Sequence, residues 1–567
     1  MAPKPLKPCV HRQAHGLRWL CVPDFADHLP ALDLRPLRHP PPTGPGEIVK
    51  DNKARTVARL AHPAHPTTRA VYAKRVKLKG WKKKTKHLLY PTQARAEWKV
   101  SRALRKKGIP TCRALAMAER RAGIFPQEAF LITEEIPHTI PLRTFLEELP
   151  NRPRDQRRRR NIGRELASLL ARMIDRGIFH KDLHVGNVMI NPRARAGKRL
   201  YVLDLHRVRL GRVGPRAIAH MLVYLADSTK KLGVGPVARI RFLRDLLGNC
   251  SGSTPVLRST LRSWARKVEK KWQTHHRRHM RSRTRRCLLN SSEFARNKTD
   301  RFRIFRRRSY PLADLLRLVD SHRLAMAGDQ GKCRAIKKGP RTEISRCPRP
   351  QDRAVHIKAY LRRTPAERIK DLLRPRRRAR HTWIAHRGFN VRDVPAPPAA
   401  ALLEARNPLS GRPDYLIVEG NVADDLRELS IIGQSDCRAR RQKPLAPAER
   451  RQLSRAVGDL FRQLARQHIR HRDMKPSNIL ARPTESGEYR LELIDLDRAS
   501  FEVEWKRKHW IKHLAQCNAG LGEQISLLDR MRCLRRCGQG RWPPPERLRI
   551  AREVLELSLD RNPQWLR

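Results

Sequence analysis

Two short stretches of this chain share one spacing of residues that can accept protons and bind a metal ion. They read "HKDLHVGN" at residues 180–187 and "HRDMKPSN" at residues 471–478, so both are His-x-Asp-x-x-x-x-Asn. A further aspartate in a predicted strand follows each motif, Asp204 after the first and Asp495 after the second. An acid that takes a hydroxyl proton, beside an amide and a carboxylate that bind Mg²⁺, suits the transfer of a phosphoryl group.

This chemistry assigns Asp182 as the base of the first motif, with Asn187 and Asp204 as ligands of Mg²⁺. The corresponding residues of the second motif are Asp473 as the base, and Asn478 and Asp495 as the metal ligands. Phosphoryl transfer also needs a cation on an earlier strand to bind the nucleotide phosphates, and Lys74 and Lys358 lie in predicted strands. The sequence therefore predicts two sites for ATP and Mg²⁺.

The repeat extends well beyond the two motifs. All four polar landmarks of the first copy recur 291 residues later. The apolar residues ahead of the first motif follow one face of a helix, and the same offset reproduces that face in the second copy. These predicted core residues are Ile162, Leu166, Leu169, Leu170 and Met173, and then Leu453, Val457, Leu460, Phe461 and Leu464. The sequence predicts two homologous domains, 1–265 and 285–567, joined by a basic linker at 266–284.

The order of predicted elements is the same in both copies. A polar hairpin comes first, at residues 48–60 and again at 335–347. The remaining predicted strands are 70–76, 129–136 and 199–205 in the first copy, and 354–360, 414–421 and 490–496 in the second. In each copy the amphipathic helix and the His-x-Asp loop separate the last two strands, so the landmark aspartate lies near the end of a strand that begins after the loop.

A family resemblance emerges from these motifs. The His-x-Asp-x-x-x-x-Asn loop followed by a strand-borne Asp resembles the catalytic and metal-binding loops of protein kinases. The metal loops read "DLHR" at 204–207 and "DLDR" at 495–498 in place of D-F-G, and no A-P-E signature follows them. With "VKDNKARTVARL" ahead and "RIRFLRDLL" behind, the chain resembles the bacterial lipopolysaccharide core kinases, the Kdo/heptose kinase (WaaP/InaA-like) family. The resemblance covers residues 17–250 and 285–560.

The resemblance implies two tandem bilobal, protein-kinase-like domains of the α+β class. Each would have a small β-rich lobe carrying the strand lysine and a helical lobe carrying the loops. The resemblance further implies ATP-dependent phosphorylation of a sugar hydroxyl of the lipid A–core region, a heptose or Kdo. The enzyme would be cytoplasmic and peripheral to the inner membrane, with an anionic glycolipid as its acceptor.

Kinases also pair the strand lysine with a glutamate on a helix, and here the two copies differ. Glu97 matches that glutamate in the first copy, whereas alignment of the neighbouring tryptophans puts Thr382 there in the second. Lys358 is therefore expected to be held less well than Lys74. The second copy has the usual loop lysine, Lys475, and neither copy has a G-x-G-x-x-G loop. We expect both domains to bind Mg·ATP and at least one to be active, the first being favoured.

Composition is consistent with globular domains that carry a strongly basic surface. Of 567 residues, 39% are hydrophobic and 31% charged, and the net charge is +72. Such a charge attracts polyanions, among them anionic glycolipids, anionic membrane surfaces and nucleic acid. The basic runs 154–160 and 266–287 are equally typical of solvated helical faces or linkers. The low aromatic content, 5%, disfavours a stacking platform for single-stranded nucleic acid.

Cysteine usage and hydropathy bear on the location of the chain. The 11 cysteines are scattered without zinc-finger spacing, which favours a reduced, cytosolic protein. The first 25 residues contain no apolar core of a signal peptide. No apolar run reaches the roughly 18 residues that a membrane-spanning helix needs, so we expect any membrane contact to be peripheral.

Two alternative functions remain open from the sequence. The near-consensus loop "HRDMKPSN" favours a bacterial Ser/Thr protein kinase, although no activation segment ending in A-P-E is evident. The other alternative is not an enzyme: a basic protein that binds nucleic acid or membranes through inactive kinase folds. The two differ in whether ATP is consumed, and in how steeply binding depends on salt.

Overall fold

The computed structural model describes most of the chain. The described residues are 8–38, 47–52, 54–78, 80–149, 152–250, 258–329, 331, 333–349, 353–373, 377–420, 424–425, 445–485, 487–522, 525–561 and 563. They include every residue assigned above to catalysis, nucleotide binding or metal binding. Among them, no helix combines the length and the apolar character that crossing a bilayer requires.

The first half of the chain begins with an antiparallel sheet of seven strands. The strands are β1 (Val10–Ala14), β2 (Leu17–Cys21), β3 (Glu47–Asp51), β4 (Arg55–His62), β5 (His65–Lys77), β6 (Ala114–Ala122) and β7 (Phe125–Glu134). Their order across the sheet is β1-β2-β6-β7-β5-β4-β3. The helices of this lobe are α1 (Pro23–Ala26), α2 (Arg35–Arg38), α3 (Trp81–Leu89) and α4 (Gln93–Lys106). Strand β5, which carries Lys74, is thus an interior strand between β4 and β7.

A helical lobe with short strands follows. Its helices are α5 (Leu142–Glu148), α6 (Pro153–Asp175), α7 (Pro215–Thr229), α8 (Pro236–Asn249) and α9 (Arg258–Arg285). Its strands are β8 (Ile140–Pro141), β9 (Ile178–His180), β10 (Val188–Ile190), β11 (Leu200–Val202) and β12 (Val208–Leu210). Strands β8, β10 and β11 form one small sheet, and β9 pairs with β12. These two small sheets frame the first His-x-Asp loop and the metal loop.

The second half repeats this plan. Its small lobe contains β13 (Phe294–Lys298), β14 (Phe302–Arg307), β15 (Arg334–Lys338), β16 (Thr342–Arg349), β17 (Arg353–Tyr360), β18 (Ala399–Ala405) and β19 (Asp414–Gly420), with α10 (Leu312–Ala327), α11 (Pro365–Leu373) and α12 (Arg378–Val391). The sheet order, β13-β14-β18-β19-β17-β16-β15, reproduces that of the first sheet strand for strand. The predicted duplication is therefore visible in the topology.

The second helical lobe is also built like the first. Its elements are β20 (Asp424–Asp425), α13 (Pro447–Arg466), β21 (Ile469–Arg470), β22 (Ile479–Pro483), β23 (Tyr489–Leu493), β24 (Ser500–Phe501), α14 (Arg507–Ala519), α15 (Leu527–Cys537) and α16 (Pro544–Leu559). Strands β20, β22 and β23 form one sheet, and β21 pairs with β24. A β-rich lobe followed by a helical lobe in each half confirms the predicted α+β class.

Burial explains why the amphipathic helices form where the sequence predicts them. The five stripe residues of α6 are at most 9% exposed, and the five of α13 at most 5%. In α6 they belong to a core that also includes Leu183 and Val185 of the catalytic loop. Met474 and Ile479 join the corresponding core around α13. Each loop is therefore anchored by apolar side chains interspersed with its polar residues.

The chain divides into two compact units, Met1–His276 and Arg277–Arg567. Residues 266–284, predicted to be a basic linker, lie in the single helix α9 that contains this division. The basic run 154–160 lies in α6, and most of its side chains are exposed. The domain limits inferred from the sequence stay a prediction.

One feature departs from the expectation of a fully reduced chain. Cys333, next to β15, and Cys347, in β16, are joined by a disulfide. The other cysteines that the structure describes are free. Cys533 and Cys537, the pair four residues apart, are among these free thiols. The disulfide links the residue before β15 to the adjacent strand β16 of the second seven-stranded sheet.

Candidate active site

The first His-x-Asp loop is held closed by its own histidine. His180 is fully buried at the end of β9, and its Nε2 lies 3.0 Å from the carbonyl oxygen of Leu203. The backbone N–H of Asp182 donates to His180 Nδ1 at 3.2 Å, which requires a neutral ring with its proton on Nε2. Burial lowers the pKa of His180, and this favours the neutral form. His180 is thus a structural residue that fixes the loop conformation through these two hydrogen bonds.

The loop asparagine completes this closure. Asn187 Nδ2 donates to the carbonyl oxygen of Asp182 at 2.9 Å, and Asn187 O accepts from the N–H of Leu203 at 2.8 Å. The first bond folds the loop back on itself. The second ties it to the segment that leads into Asp204. These two bonds link Asp182 to Asn187, five positions later, and Asn187 to Leu203, the residue before Asp204.

The second unit repeats three of these four bonds. His471 is fully buried, with Nε2 3.0 Å from the carbonyl oxygen of Ile494. Asn478 Nδ2 donates to Asp473 O at 2.9 Å, and Asn478 O accepts from the N–H of Ile494 at 3.0 Å. Agreement between two sequences that differ at most loop positions shows that His, Asp and Asn set the loop conformation.

Both metal-loop aspartates have a backbone conformation that ordinary residues avoid. Asp204 has φ 58° and ψ 55°, and Asp495 has φ 53° and ψ 57°. The left-handed region costs an L-residue other than glycine about 1–2 kcal/mol, although aspartate tolerates it better than most. Such strain is typical of functional sites, where the fold holds a side chain in one direction. The same strain at the same position in both units indicates a shared requirement.

The strand lysine of the first unit has the partner predicted for it. Lys74 Nζ lies 2.6 Å from Glu97 Oε2, and their side chains are 18% and 8% exposed. Lys74 sits in β5 between Val57 of β4 and Leu131 of β7, so its backbone is fixed on both sides. Glu97 is on α4, whose Trp98 is buried against the sheet. Sheet and helix core together hold the two charges in contact.

A histidine and an arginine lie close to the carboxylate of Asp204. His206 Nδ1 is 2.7 Å from Asp204 Oδ1, and Arg55 Nη1 is 3.6 Å from the same oxygen. Burial acts to raise the pKa of Asp204, but the hydrogen bond with His206 and the charges of His206, Lys74 and Arg55 outweigh it and hold the pKa well below the usual range. Asp204 is therefore ionised at neutral pH, as its predicted role in binding a metal requires.

The strand lysine of the second unit has acidic partners. This corrects the expectation, drawn from Thr382, that Lys358 is held less well than Lys74. Lys358 Nζ lies 2.7 Å from Asp495 Oδ1 and 3.1 Å from Asp497 Oδ2. Asp371, an acid of the preceding helix α11, pairs with Arg362 at 2.8 Å. Asp497 is the second acid of "DLDR", and Lys358 is held from the metal loop.

Each aspartate predicted to be the base lies beside a cation. Arg207 Nη1 lies 3.3 Å from Asp182 Oδ2, and Lys475 Nζ lies 3.5 Å from Asp473 Oδ1. Lys475 comes from the catalytic loop itself, whereas Arg207 comes from the metal loop. His184, which replaces the loop lysine in the first unit, accepts the N–H of Gly186 through Nδ1 at 3.1 Å. The first unit therefore provides the cation from a different segment.

Four residues near these sites were missed by the sequence reasoning: Arg55, His206, Arg207 and Asp497. Three of them belong to "DLHR" and "DLDR", so the positions two and three residues after the metal-loop aspartate were the available signal. Arg55 begins β4, and no local pattern separates it from the many other arginines of this chain. Only the pairing of β4 with β5 places it beside Asp204.

The donor set suits Mg²⁺ bound to a nucleotide. In each unit it consists of a carboxylate and an asparagine amide oxygen, which are the hard oxygen ligands that Mg²⁺ takes. The amide nitrogens of Asn187 and Asn478 are engaged by loop carbonyls, so the amide oxygens are the atoms available to a cation. Within the described residues, Glu97, Asp204 and His206 also place ligand atoms within 4.8 Å of one another.

Comparisons with known proteins agree with this geometry. The sequence profile of the "Lipopolysaccharide kinase (Kdo/WaaP) family" matches residues 43–244 and, independently, residues 340–543. A "Lipopolysaccharide core heptose(I) kinase WaaP" from Pseudomonas aeruginosa is 30% identical over 173 residues, which are 29% of this chain and 65% of that protein. A protein of the same name from Escherichia coli is 28% identical over 124 residues, 21% of this chain and 46% of that protein.

Two further similarities complete the comparison. The heptose(I) kinase WaaP of E. coli strain K12 is 25% identical over 156 residues, 27% of this chain and 59% of that protein. The solved structure "WaaP in complex with acyl carrier protein" is 26% identical, with a TM-score of 0.31, over 40% of this chain and 88% of that chain. The matches to the curated relatives span between about half and two thirds of their length. The two profile matches cover most of the sequence, and the chain belongs to the lipopolysaccharide kinase (Kdo/WaaP) family, with two copies of the family's kinase-like domain in tandem.

Proposed function

We propose that this chain is an ATP- and Mg²⁺-dependent kinase that phosphorylates a sugar hydroxyl of the lipid A–core region of lipopolysaccharide, on a heptose or on Kdo. One observation carries the proposal. In both units a loop aspartate and a loop asparagine lie beside a left-handed metal-loop aspartate and an ion-paired strand lysine. The family, and the heptose(I) kinase activity named for its P. aeruginosa and E. coli members, support the acceptor class.

Each residue has a defined task in the first unit. Asn187 and Asp204 would hold Mg²⁺, which when bound neutralises the charge that develops on the phosphoryl oxygens. Lys74, oriented by Glu97, binds the α- and β-phosphates of ATP. Asn478, Asp495 and Lys358 take the same tasks in the second unit. In the first unit Glu97 fixes Lys74 before the substrates arrive, so little reorganisation of this lysine is needed during the reaction.

The chemical step needs one proton acceptor. The sugar hydroxyl oxygen forms a bond to the γ-phosphorus while the bond from that phosphorus to the β,γ-bridging oxygen breaks, and ADP leaves with the electron pair. The hydroxyl proton passes to the Asp182 carboxylate, or to Asp473 in the second unit. Asp182 is 26% exposed, so an acceptor hydroxyl can reach it, and Arg207 lies beside the carboxylate.

The acceptor class agrees with the charge of the chain. A protein of net charge +72 is attracted to an anionic glycolipid and to the anionic leaflet that contains it. We therefore place the reaction at the cytoplasmic face of the inner membrane, with peripheral contact only. Nucleic acid is the alternative polyanion. If nucleic acid is the partner, binding should weaken steeply with increasing salt and should not depend on ATP.

Single replacements of the two bases test the proposal. Asp182→Asn and Asp473→Asn each remove one proton acceptor without changing side-chain shape, and the removed base normally contributes about 10²–10⁴-fold in rate. ATP-dependent phosphate transfer to a lipid A–core acceptor should fall by this factor at whichever site carries the reaction, and most strongly for Asp182→Asn. Asp245→Asn, whose carboxylate pairs with the adjacent Arg244, is the matched control and should leave the rate unchanged. If neither base replacement slows transfer, the assignment is wrong.

Two measurements separate the proposal from its alternatives. Mass spectrometry of lipopolysaccharide from cells with and without this protein should show one phosphate lost from the core. Labelling a cell extract with radioactive ATP should mark glycolipid. Label on polypeptides instead would support the Ser/Thr protein kinase, and no turnover together with salt-sensitive binding would support the non-enzymatic alternative.

A further inference from the structure

The lysine-anchoring acid has moved from one element to another between the two units. In the first unit the acid is Glu97 of α4, and the metal loop has a histidine, His206, two residues after Asp204. In the second unit the helix position holds Thr382, and the metal loop has Asp497 two residues after Asp495. Both residues differ, and the two differences are reciprocal: where the helix loses its acid, the loop gains one.

Asp497 is placed as Glu97 is. Its side chain is 9% exposed, against 8% for Glu97, and its Oδ2 lies 3.1 Å from Lys358 Nζ. Its other oxygen, Oδ1, accepts from Tyr360 OH at 2.8 Å and from Thr382 Oγ1 at 2.9 Å. Turning this buried carboxylate away from the lysine would break both of these hydrogen bonds.

The neighbouring residues are matched to this exchange. Thr382, at the helix position that corresponds to Glu97, donates a hydrogen bond to Asp497. A carboxylate at this position would instead repel the carboxylate of Asp497. Tyr360, two residues after Lys358 on β17, corresponds to Val76 of the first unit, which has no hydroxyl to offer. Arg378 on α12 adds a second cation, 3.1 Å from Asp497 Oδ2. Three residues of the second unit therefore serve a carboxylate that the first unit lacks.

We propose that Asp497 is the positioning residue for Lys358, so that the second unit keeps a complete nucleotide site although its helix glutamate is absent. This inference rests on the phosphotransferase function proposed above for that site. The competing interpretation is that Lys358 and the two metal-loop acids only neutralise one another in an inactive domain. The interpretations differ in what Asp497 does for a bound nucleotide.

Equilibrium binding of a non-hydrolysable ATP analogue with Mg²⁺ tests the inference on the full chain. Lys74→Ala removes nucleotide binding by the first unit, so the remaining site is the second. In this background, Asp497→Asn keeps the shape of the side chain but removes its charge, and should weaken binding about 10- to 100-fold. Adding Thr382→Glu together with Asp497→His transplants the arrangement of the first unit, and should restore binding to within a few-fold.

The matched control is Glu404→Gln. Glu404 is a buried acid of β18 that pairs with Arg380 of α12, the helix that also carries Thr382, and it does not contact Lys358. It should lower the melting temperature as much as Asp497→Asn does without weakening nucleotide binding, and this separates positioning from a merely structural role.

Three results overturn the inference. One is unchanged binding in Asp497→Asn, and another is failure of the transplanted pair to improve on it. The third is loss of all binding in the Lys74→Ala background while the wild-type chain binds one equivalent, because the second unit then holds no nucleotide although the proposed function of the first site stands. If the wild-type chain binds no nucleotide at all, the proposed function fails as well.

Discussion

Replacing Glu97 by Gln isolates the contribution of the ion pair in the first unit. The amide has the shape of the carboxylate and can still contact Lys74, but it lacks the charge. A hydrogen bond that involves a charged group contributes about 1.5–3 kcal/mol, and the two side chains are only 18% and 8% exposed, so solvent screens the pair little. If this energy orients Lys74 in the transition state, kcat/KM for ATP should fall about 10- to 150-fold.

The structure also indicates what the released lysine does. In the second unit, where the helix acid is absent, Lys358 Nζ contacts the metal-loop carboxylate of Asp495 directly at 2.7 Å. Lys74 of the variant should turn in the same way towards Asp204. This contact competes with Mg²⁺ for the carboxylate, so the Mg²⁺ concentration that gives half the maximal rate should rise together with KM for ATP.

The assay is ADP formation with a lipid A–core acceptor, in a chain whose second site is disabled by Asp473→Asn. Glu128→Gln is the matched control: Glu128 pairs with Arg75, the residue next to Lys74 on β5, and both side chains are 17% exposed. It should lower the melting temperature comparably and leave kcat/KM unchanged. A Glu97→Gln protein that melts normally and retains kcat/KM within threefold would refute the assigned role of the pair.

Three further predictions follow from particular residues. Asn187→Ala removes an amide oxygen from the metal site and should raise the Mg²⁺ concentration for half-maximal rate at least tenfold in the same single-site assay. Gly388→Ala places a Cβ 2.3 Å from Phe501 Cζ and should destabilise the second unit by about 1–3 kcal/mol in urea unfolding, whereas Gly163→Ala, with nothing within 4 Å, should be neutral or stabilising. Burial lowers the pKa of His322, His386 and His513 to about 4. Between pH 4 and the ordinary histidine pKa of about 6.5, the unfolded chain therefore binds more protons than the folded chain. The second unit should lose stability as pH falls through this window, by up to about 1.4 kcal/mol per histidine per pH unit. A urea midpoint that does not change from pH 7.5 to 5 would contradict this.

The duplicated architecture was predictable from the sequence because its signals are local or periodic. The stripe residues of α6 and α13 recur with the spacing of a helix, and this spacing alone places them on one buried face. In the strands around Lys74 and Lys358, apolar residues alternate with other residues, which is the period of a strand. Because the two halves are related by a constant offset, the motif residues assigned in one copy support those assigned in the other. The family profile matches both halves.

The electrostatic partners were decided only by tertiary structure. Thr382 and Asp497 are 115 residues apart in the chain, yet the fold brings Thr382 Oγ1 within 2.9 Å of Asp497 Oδ1. A pattern search looks for the anchoring glutamate on its expected helix, so it finds Glu97 and misses an acid that reaches the same lysine from the metal loop. The types of residue that phosphoryl transfer requires can be identified from the sequence. Which carboxylate meets which cation depends on the packing of sheet, helix and loop, since charges act over distances in space that separation along the chain does not reveal.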